Sequence, residues 1–259
     1  MQAAVLSGER DDKTTDLLLL DVTPLSLGIE TTGGLMGEIV PRNTVVPTSR
    51  TKVYTTAEDG QTAVNNKVYE GERKLTTDNR LLGQFELSGI PAMEKGKAQI
   101  EVTFDIDADG ILSVSAKELT SGKKAMITVK NSDRLSDEEI AKMVQEAEAY
   151  NEEDGKAVER VQSIKGLEEY IYLTKAKLKD TELRGRMDVD DLVAVQNELS
   201  QAEKLIDAAE EGTSREEIDE LHQKLLEFSI GPILDKYGNA GGYNLDDEME
   251  GDSGAHDEL

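Results

Sequence analysis

Hydrophobic and polar positions alternate with period two along the first half of the chain. Ile100, Val102, Phe104 and Ile106 alternate with polar residues, a pattern that predicts a strand with one buried face. After Asp109-Gly110 the run Leu112, Val114 and Ala116 alternates again, so the two runs predict a hairpin. Similar short runs occur at 25–32, 51–57, 63–70, 81–87 and 125–130. Together they predict seven or eight short strands, as is typical of a β-sandwich.

The apolar period changes to 3.6 residues after Ser136. Ser136 and Glu139 form a predicted capping box at the start of a helix that runs to about Lys179, with a break near Gly166. A second apolar stripe precedes Gly212, and a third lies between a second capping box at Ser214 and Pro232. The two stripes comprise Leu192, Val195, Leu199, Ala202 and Leu205, and then Ile218, Leu221, Leu225 and Phe228. They predict a small bundle of helices that pack against one another.

Composition narrows the possible chemistry. The 259 residues contain no cysteine and two histidines, which disfavours disulfide scaffolds, thiol enzymes and histidine-rich metal sites. The formal net charge of -25 repels nucleic acid and anionic membranes, so we expect neither as a partner. No apolar stretch approaches the roughly 20 residues of a membrane span.

The charge is distributed unevenly along the chain. Residues 1–134 carry 20 acidic and 16 basic side chains, whereas residues 135–259 carry 34 and 13. The last stretch, residues 241–259, holds seven acids, four glycines and no base. That composition predicts a disordered acidic tail.

Three local motifs suggest chemistry that their surroundings do not support. Residues 105–110 match the start of a calcium-binding EF-hand loop, but Ala116 stands where the bidentate carboxylate is needed. Gly33-Gly34 lacks the lysine and hydroxyl residue of a phosphate-binding loop. His222 has no candidate nucleophile or ligand cluster beside it. We therefore predict no catalytic residue and no metal site.

Longer stretches of the chain resemble the heat shock protein 70 family of chaperones. They are Leu17 to Thr31, with the sequence LLLLDVTPLSLGIET, then YEGER at 69–73 and QIEVTFDID at 99–107. They are similar to the C-terminal substrate-binding region of that family. The resemblance implies an α+β fold: an antiparallel β-sandwich that binds peptides, then an α-helical bundle that acts as a lid, then the acidic tail.

The resemblance also implies a division of the chain. Residues 1–16 would be a remnant of the end of an ATPase domain, 17–22 an interdomain linker, 23–132 the β-sandwich, 133–238 the lid and 239–259 the tail. In the family, ATP and Mg belong to the preceding ATPase domain. The resemblance therefore implies that this chain is not an enzyme and has no cofactor of its own. The linker residues would be Leu17, Leu18, Leu19, Leu20 and Asp21. From the residues alone, a buried strand is an equally good interpretation of the four leucines.

Carried over by position, the resemblance implies a channel for an extended peptide with one apolar pocket. Its residues would be Ile29, Thr31, Thr32, Tyr54, Thr55, Thr56, Ala57, Gln61, Val64, Asn66 and Ile100. Thr32 and Ala57 would arch over the bound backbone, and Ile29, Val64 and Ile100 would select a leucine-like side chain. From the residues alone, the preferred interpretation of these three is plain sandwich core.

Several positions depart from the family pattern. Asn66 replaces an aliphatic pocket residue, and a buried amide there needs a hydrogen-bond partner or weakens apolar selectivity. Lys95 replaces the arginine expected to close toward Asp59, so a bidentate fork becomes a point charge. Ile164 replaces a basic residue, which leaves Lys165 and Glu168 as substitutes in the lid latch. We therefore expect a looser lid.

His256, Asp257, Glu258 and Leu259 end the chain as a signal for retention in the endoplasmic reticulum. The signal predicts a lumenal member of the family and a retention receptor as partner, with a cytoplasmic location as the alternative. The other partners implied by the resemblance are unfolded apolar polypeptides, the family's ATPase domain and J-domain co-chaperones. The predicted function is a chaperone that assists folding under ATP control; the alternative is an interaction module that works through the acidic helical bundle.

Overall fold

The computed structural model describes residues 21–129, 135–208 and 213–238. These residues divide into two compact units, with the division after Asn151. The first unit contains eight strands and the first helix, and the second unit contains the remaining helices. The predicted linker leucines, the acidic tail and the retention signal lie outside the described residues.

Eight antiparallel strands form two sheets of four. The strands are β1 (Leu27–Thr31), β2 (Leu35–Val40), β3 (Thr48–Tyr54), β4 (Ala63–Glu70), β5 (Arg80–Ser88), β6 (Ile100–Ile106), β7 (Leu112–Glu118) and β8 (Lys124–Val129). One sheet has the order β2-β1-β4-β5 and the other β3-β6-β7-β8. The predicted hairpin is confirmed, since Ile100 pairs with Glu118 and Ile106 with Leu112.

The inward faces of both sheets contribute to a single hydrophobic core. Ile29, Val40 and Val68 from one sheet share it with Val102 and Phe104 from the other, and all five are fully buried. This burial follows from the period-two pattern, because every second side chain along a strand points to the same face. The polar residues that alternate with the core positions lie on the outer faces.

Six helices are described after the sheets. They are α1 (Asp137–Ala149), α2 (Asn151–Lys177), α3 (Thr181–Arg186), α4 (Val189–Ala208), α5 (Arg215–Lys224) and α6 (Gly231–Gly238). Both predicted capping boxes are confirmed: Ser136 and Ser214 each accept from the backbone of the glutamate three residues on, which accepts in return from the serine backbone. No helix in the described part of the chain is long and apolar enough to cross a membrane.

The helices after Asn151 have a hydrophobic core of their own. Leu167, Ile171, Val195, Leu199 and Leu225 are buried together there. The apolar side chains of these helices are therefore buried against one another within their own unit. The single sandwich-and-lid architecture predicted from the sequence is corrected accordingly: the chain has two small antiparallel sheets and several helices, in two units with separate cores.

Three details of the helices differ from the prediction. The helix expected to break near Gly166 runs through it, and the interruption falls at Tyr150 instead. Leu205 and Phe228 are 56% and 75% exposed rather than part of the apolar stripes. For Phe228 the cause is a π-helical turn at Leu225–Ser229, in which Ile230 N donates to Leu225 O. The wider turn shifts the phase of the stripe.

Candidate functional site

The predicted peptide-binding residues gather at one end of the two-sheet unit. Tyr54, the last residue of β3, pairs with Ile100, the first residue of β6. Thr31 ends β1, and Val64 lies next to the start of β4. A side-chain carbon placed on Gly37 would meet both Thr31 Cγ2 and Tyr54 Oη within 3.1 Å, so residues of the two sheets approach each other here. We call this region, with the loops 32–34 and 55–62, the loop end.

The apolar residues of the loop end form its floor. Ile29, Val64 and Ile100 are 0%, 3% and 0% exposed and belong to one core cluster with Tyr54. Their side chains are closed to solvent in this structure. Thr31, Thr55 and Thr56 are buried beside them, whereas Thr32, Ala57 and Gln61 are half-buried at the rim. A bound side chain would reach the floor only if the rim parts.

The loop at 32–34 is anchored by an acidic residue that the sequence reasoning did not identify as functional. Glu30 accepts hydrogen bonds from Lys67 Nζ at 2.6 Å, Thr76 Oγ1 at 2.9 Å and Tyr69 Oη at 3.1 Å. The Thr76 backbone N–H also donates to Gly34 O at 2.9 Å. The Thr76 hydroxyl lies 3.0 Å from the same carbonyl oxygen, so Gly34 O and Glu30 share its single proton. Desolvation alone would raise the pKa of Glu30, but these hydrogen bonds outweigh it and lower the pKa. The loop therefore rests on an ionised carboxylate.

Glu30 could have been noticed in the sequence. It is the one charged residue in the strand 27–31, whose other side chains are apolar, small or hydroxyl-bearing. A charge in such a strand needs a partner. The partners Lys67 and Thr76 are 37 and 46 residues away, so their identity depends on the fold.

The second loop of the site is organised by Gln61. Its Oε1 accepts from the backbone N–H of Ala57 at 3.0 Å and of Glu58 at 3.3 Å, and its Nε2 donates to Ala63 O at 3.1 Å. One side chain thus holds the turn between β3 and β4 together. The predicted roles of Ala57 in the arch over the bound backbone and of Gln61 in the channel lining are consistent with this position and stay predictions.

Asn66 lies in the apolar interior of the loop end. It is 0% exposed and lies on the same face of β4 as the buried residues Val64 and Val68. Its Nδ2 donates to Val64 O at 3.4 Å, but its Oδ1 is buried with no hydrogen-bond partner. A buried polar atom without a partner therefore lies beside the floor, as expected for an amide at this position.

The predicted latch residues fall into two sets. Lys95 and Asp59 are in contact, since the Lys95 backbone N–H donates to Asp59 Oδ1 at 2.8 Å. Lys165 and Glu168 lie on α2, within the second unit, and both are half-buried. The latch as a whole stays a prediction.

Asp107 accounts for a hairpin turn, and Asp21 is the predicted linker residue that lies within the described part of the chain. Asp107 Oδ1 accepts from the backbone of Asp109 and Ile111, each at 2.9 Å, and so caps the hairpin turn that resembled an EF-hand loop. Asp21 O accepts from Val46 N at 3.0 Å beside the bridge between Val22 and Val45. Leu17, Leu18, Leu19, Leu20 and the four residues of the retention signal lie outside the described part of the chain.

Comparison with known proteins gives a single family. The model of the family described as Hsp70 protein matches residues 1–231. The chain is 47% identical over 244 residues to a heat shock 70 kDa protein of Neurospora crassa, 43% over 240 residues to heat shock cognate 70 kDa protein 3 of Dictyostelium discoideum, and 42% over 261 residues to heat shock 70 kDa protein BIP3 of Oryza sativa subsp. japonica.

The alignments cover 93%, 92% and 100% of this chain. The chain spans only 38–39% of the length of these relatives.

The extent of the family match corrects several predictions. We expected residues 1–16 to be a remnant of a preceding ATPase domain. The rest of the chain was then expected to be a C-terminal substrate-binding region that is not an enzyme and binds no ATP or Mg. The match instead begins at residue 1 and runs unbroken to residue 231, so it does not set these residues apart. The assignment to the C-terminal region and the exclusion of enzyme activity and cofactors are withdrawn, because the match gives no ground for them. The sandwich-and-lid architecture inferred with them is withdrawn as well.

The ATP and Mg that the family implies can be tested against the described residues. Gly33-Gly34 forms a turn between antiparallel strands, and Gly34 N already donates to Thr31 O at 3.0 Å, so this amide is not available to a phosphate. No group of three or more His, Asp or Glu side chains in the described ranges could hold a metal ion. The Gly33-Gly34 turn therefore offers no free Gly34 amide for a phosphate, and we assign no step of ATP hydrolysis to the described residues.

Proposed function

Because the chain belongs to the heat shock protein 70 family, we propose that it binds extended apolar segments of unfolded polypeptides at the loop end. In the whole protein, this binding would serve the folding of client chains under ATP control. The observation that carries the proposal is the convergence of the eleven predicted binding residues, which come from distant parts of the sequence, at one end of the two-sheet unit.

The chemistry of the loop end suits an extended peptide. An extended peptide gains affinity from main-chain hydrogen bonds and specificity from pockets that hold its side chains. The apolar floor of Ile29, Val64 and Ile100 would bury one aliphatic side chain. Such burial contributes roughly 1.5–3 kcal/mol for a leucine-sized group.

The remaining parts of the predicted function follow from the same proposal. The partners are unfolded polypeptides, the family's ATPase domain and J-domain co-chaperones. The terminal residues 256–259 would be bound by a retention receptor in the endoplasmic reticulum. Removal of these four residues, followed by measurement of secretion from cells, tests that location: retention without them would contradict it.

Peptide binding is tested by fluorescence anisotropy of a labelled, leucine-rich heptapeptide titrated with the chain. Val64→Phe fills the floor and should abolish saturable binding. Val114→Phe is the matched control, because Val114 is an equally buried core valine in the middle of β7. It should bind peptide if it remains folded, as judged by circular dichroism.

Two outcomes would contradict the proposal. If the unmodified chain is folded but does not bind the peptide, the loop end is not a binding site. If Val64→Phe binds as tightly as the unmodified chain, the peptide binds elsewhere, and the acidic surface of the helices becomes the better candidate.

A further inference from the structure

Asn66 lies among the apolar residues of the floor and has a side-chain oxygen without a hydrogen-bond partner. The side chain is fully buried, and its Oδ1 has no partner. A buried acceptor without a donor costs free energy comparable to the loss of a hydrogen bond. A polar atom retained at such a cost indicates a partner that arrives with a ligand or a solvent molecule.

The orientation of the Asn66 amide is fixed by its surroundings. Nδ2 points toward Val64 O, an acceptor, at 3.4 Å. Turning the amide over would place two acceptors against each other, so the unsatisfied atom is the oxygen. The missing partner must therefore be a hydrogen-bond donor.

The position of Asn66 connects this atom with the rim. β1 and β4 pair with Ile29 opposite Val68. If this register is extended by one residue, Glu30 lies opposite Lys67, and these two residues form an ion pair. Continued by two residues, it brings Thr31 to Asn66. Asn66 thus lies within β4, opposite Thr31 at the end of β1, where a side chain inserted from the loop end would arrive.

We infer that Asn66 determines the specificity of this site: its Oδ1 accepts a hydrogen bond from a compact, donor-bearing side chain of the bound segment, threonine above all. The inference rests on the proposed function. Threonine offers one hydroxyl donor and one methyl group, which suits one unused acceptor in the otherwise apolar interior of the loop end. Valine has the same shape without the donor, so it would leave Oδ1 unsatisfied.

The test compares two heptapeptides that differ only in their central residue, threonine or valine, by fluorescence anisotropy. For the unmodified chain, the threonine peptide should bind at least as tightly as the valine peptide. In Asn66→Leu, which keeps the shape of the side chain but removes the acceptor, the valine peptide should bind roughly tenfold more tightly than the threonine peptide. The quantity measured is the change in this ratio between the two proteins.

Asn65→Leu is the matched control. Asn65 is the preceding residue of β4 and is exposed on the opposite face. Its substitution should leave the threonine-to-valine ratio of the unmodified chain unchanged. Thermal unfolding of each variant shows whether it is folded.

The outcomes separate this inference from the proposed function. A preference for valine that is equal in the unmodified chain and in Asn66→Leu overturns the role of Asn66 but leaves peptide binding intact. Peptide binding that appears only in Asn66→Leu also overturns it, because Asn66 then disables the pocket. If neither peptide binds to any folded variant, the proposed function fails together with the inference.

Discussion

At the scale of single residues, the most informative positions are those where a polar group lies in an apolar setting. Asn66 could be identified because it stands where the family resemblance implies an aliphatic residue, and the structure shows which of its two polar atoms lacks a partner. That distinction depends on the carbonyl of Val64, two residues back along β4. The sequence pattern specifies the face on which Asn66 lies, but not the hydrogen bonds available there.

His222 illustrates the same limit in the helical unit. The sequence predicted a surface or bundle-edge histidine with no chemistry, and the structure places it half-buried, with its ring 5.4 Å from the Tyr170 ring. Its Nε2 is buried without a partner. Desolvation lowers the pKa of His222, although the nearby charge of Asp219 raises it in part.

The lowered pKa predicts that the helical unit loses stability in mild acid. A histidine whose pKa is lower in the folded than in the unfolded state takes up its proton more readily when unfolded. Its contribution is therefore constant above the ordinary pKa of 6.5 and declines as the pH falls through that value toward the folded pKa. Thermal unfolding of the chain and of His222→Gln, compared between pH 7.5 and pH 5, should show a smaller loss of stability in the variant.

Glu220→Gln provides the control for this comparison. Glu220 is exposed on the same helix and lies two residues away. Its substitution should leave the difference between pH 7.5 and pH 5 nearly unchanged. If His222→Gln behaves like Glu220→Gln, the burial of His222 has no energetic consequence.

At the scale of elements, period and capping predicted strands and helices well, and the exceptions have local causes. The hairpin of β6 and β7 and both capping boxes depend on residues close in sequence, so the sequence determines them. The exposure of Phe228 depends on a π-helical turn, which no spacing rule anticipates. The pairing of β1 with both β2 and β4 required the folded structure, because such contacts are distant along the chain.

Two glycines should respond in opposite ways to substitution by alanine. A Cβ on Gly28 would overlap the carbonyl oxygen of Gly37, so Gly28→Ala must separate β1 from β2. We expect it to lower the free energy of unfolding by about 1–3 kcal/mol, as overpacked positions do. A Cβ on Gly155 in α2 would meet nothing within 4 Å, and Gly155→Ala should raise the free energy by up to about 1 kcal/mol.

Chemical denaturation followed by circular dichroism measures both changes. The pair is informative because the two variants add the same methyl group in different surroundings. Equal effects of the same sign would show that the close approach of β1 and β2 does not limit the packing of the sheet.

At the scale of the whole molecule, the chain combines a two-sheet unit and a helical unit, each with its own core. The sequence predicted the change from strands to helices and the resemblance to the family, because both are carried by continuous patterns. It did not predict Glu30 as the anchor of the loop end, since its partners are contributed by β4 and by the turn before β5. The burial of the floor likewise depends on both sheets and cannot be derived from any one segment.

The central claim is that an extended apolar segment binds at the loop end of the two-sheet unit. Methyl NMR of isoleucine- and valine-labelled chain, titrated with the leucine-rich heptapeptide, tests it most directly. We predict saturable shifts for Ile29, Val64 and Ile100, with little change for Val114 in the middle of β7 and for Ile218 in the helical unit. Shifts confined to Ile218 and its neighbours, or no shifts at all, would contradict the claim.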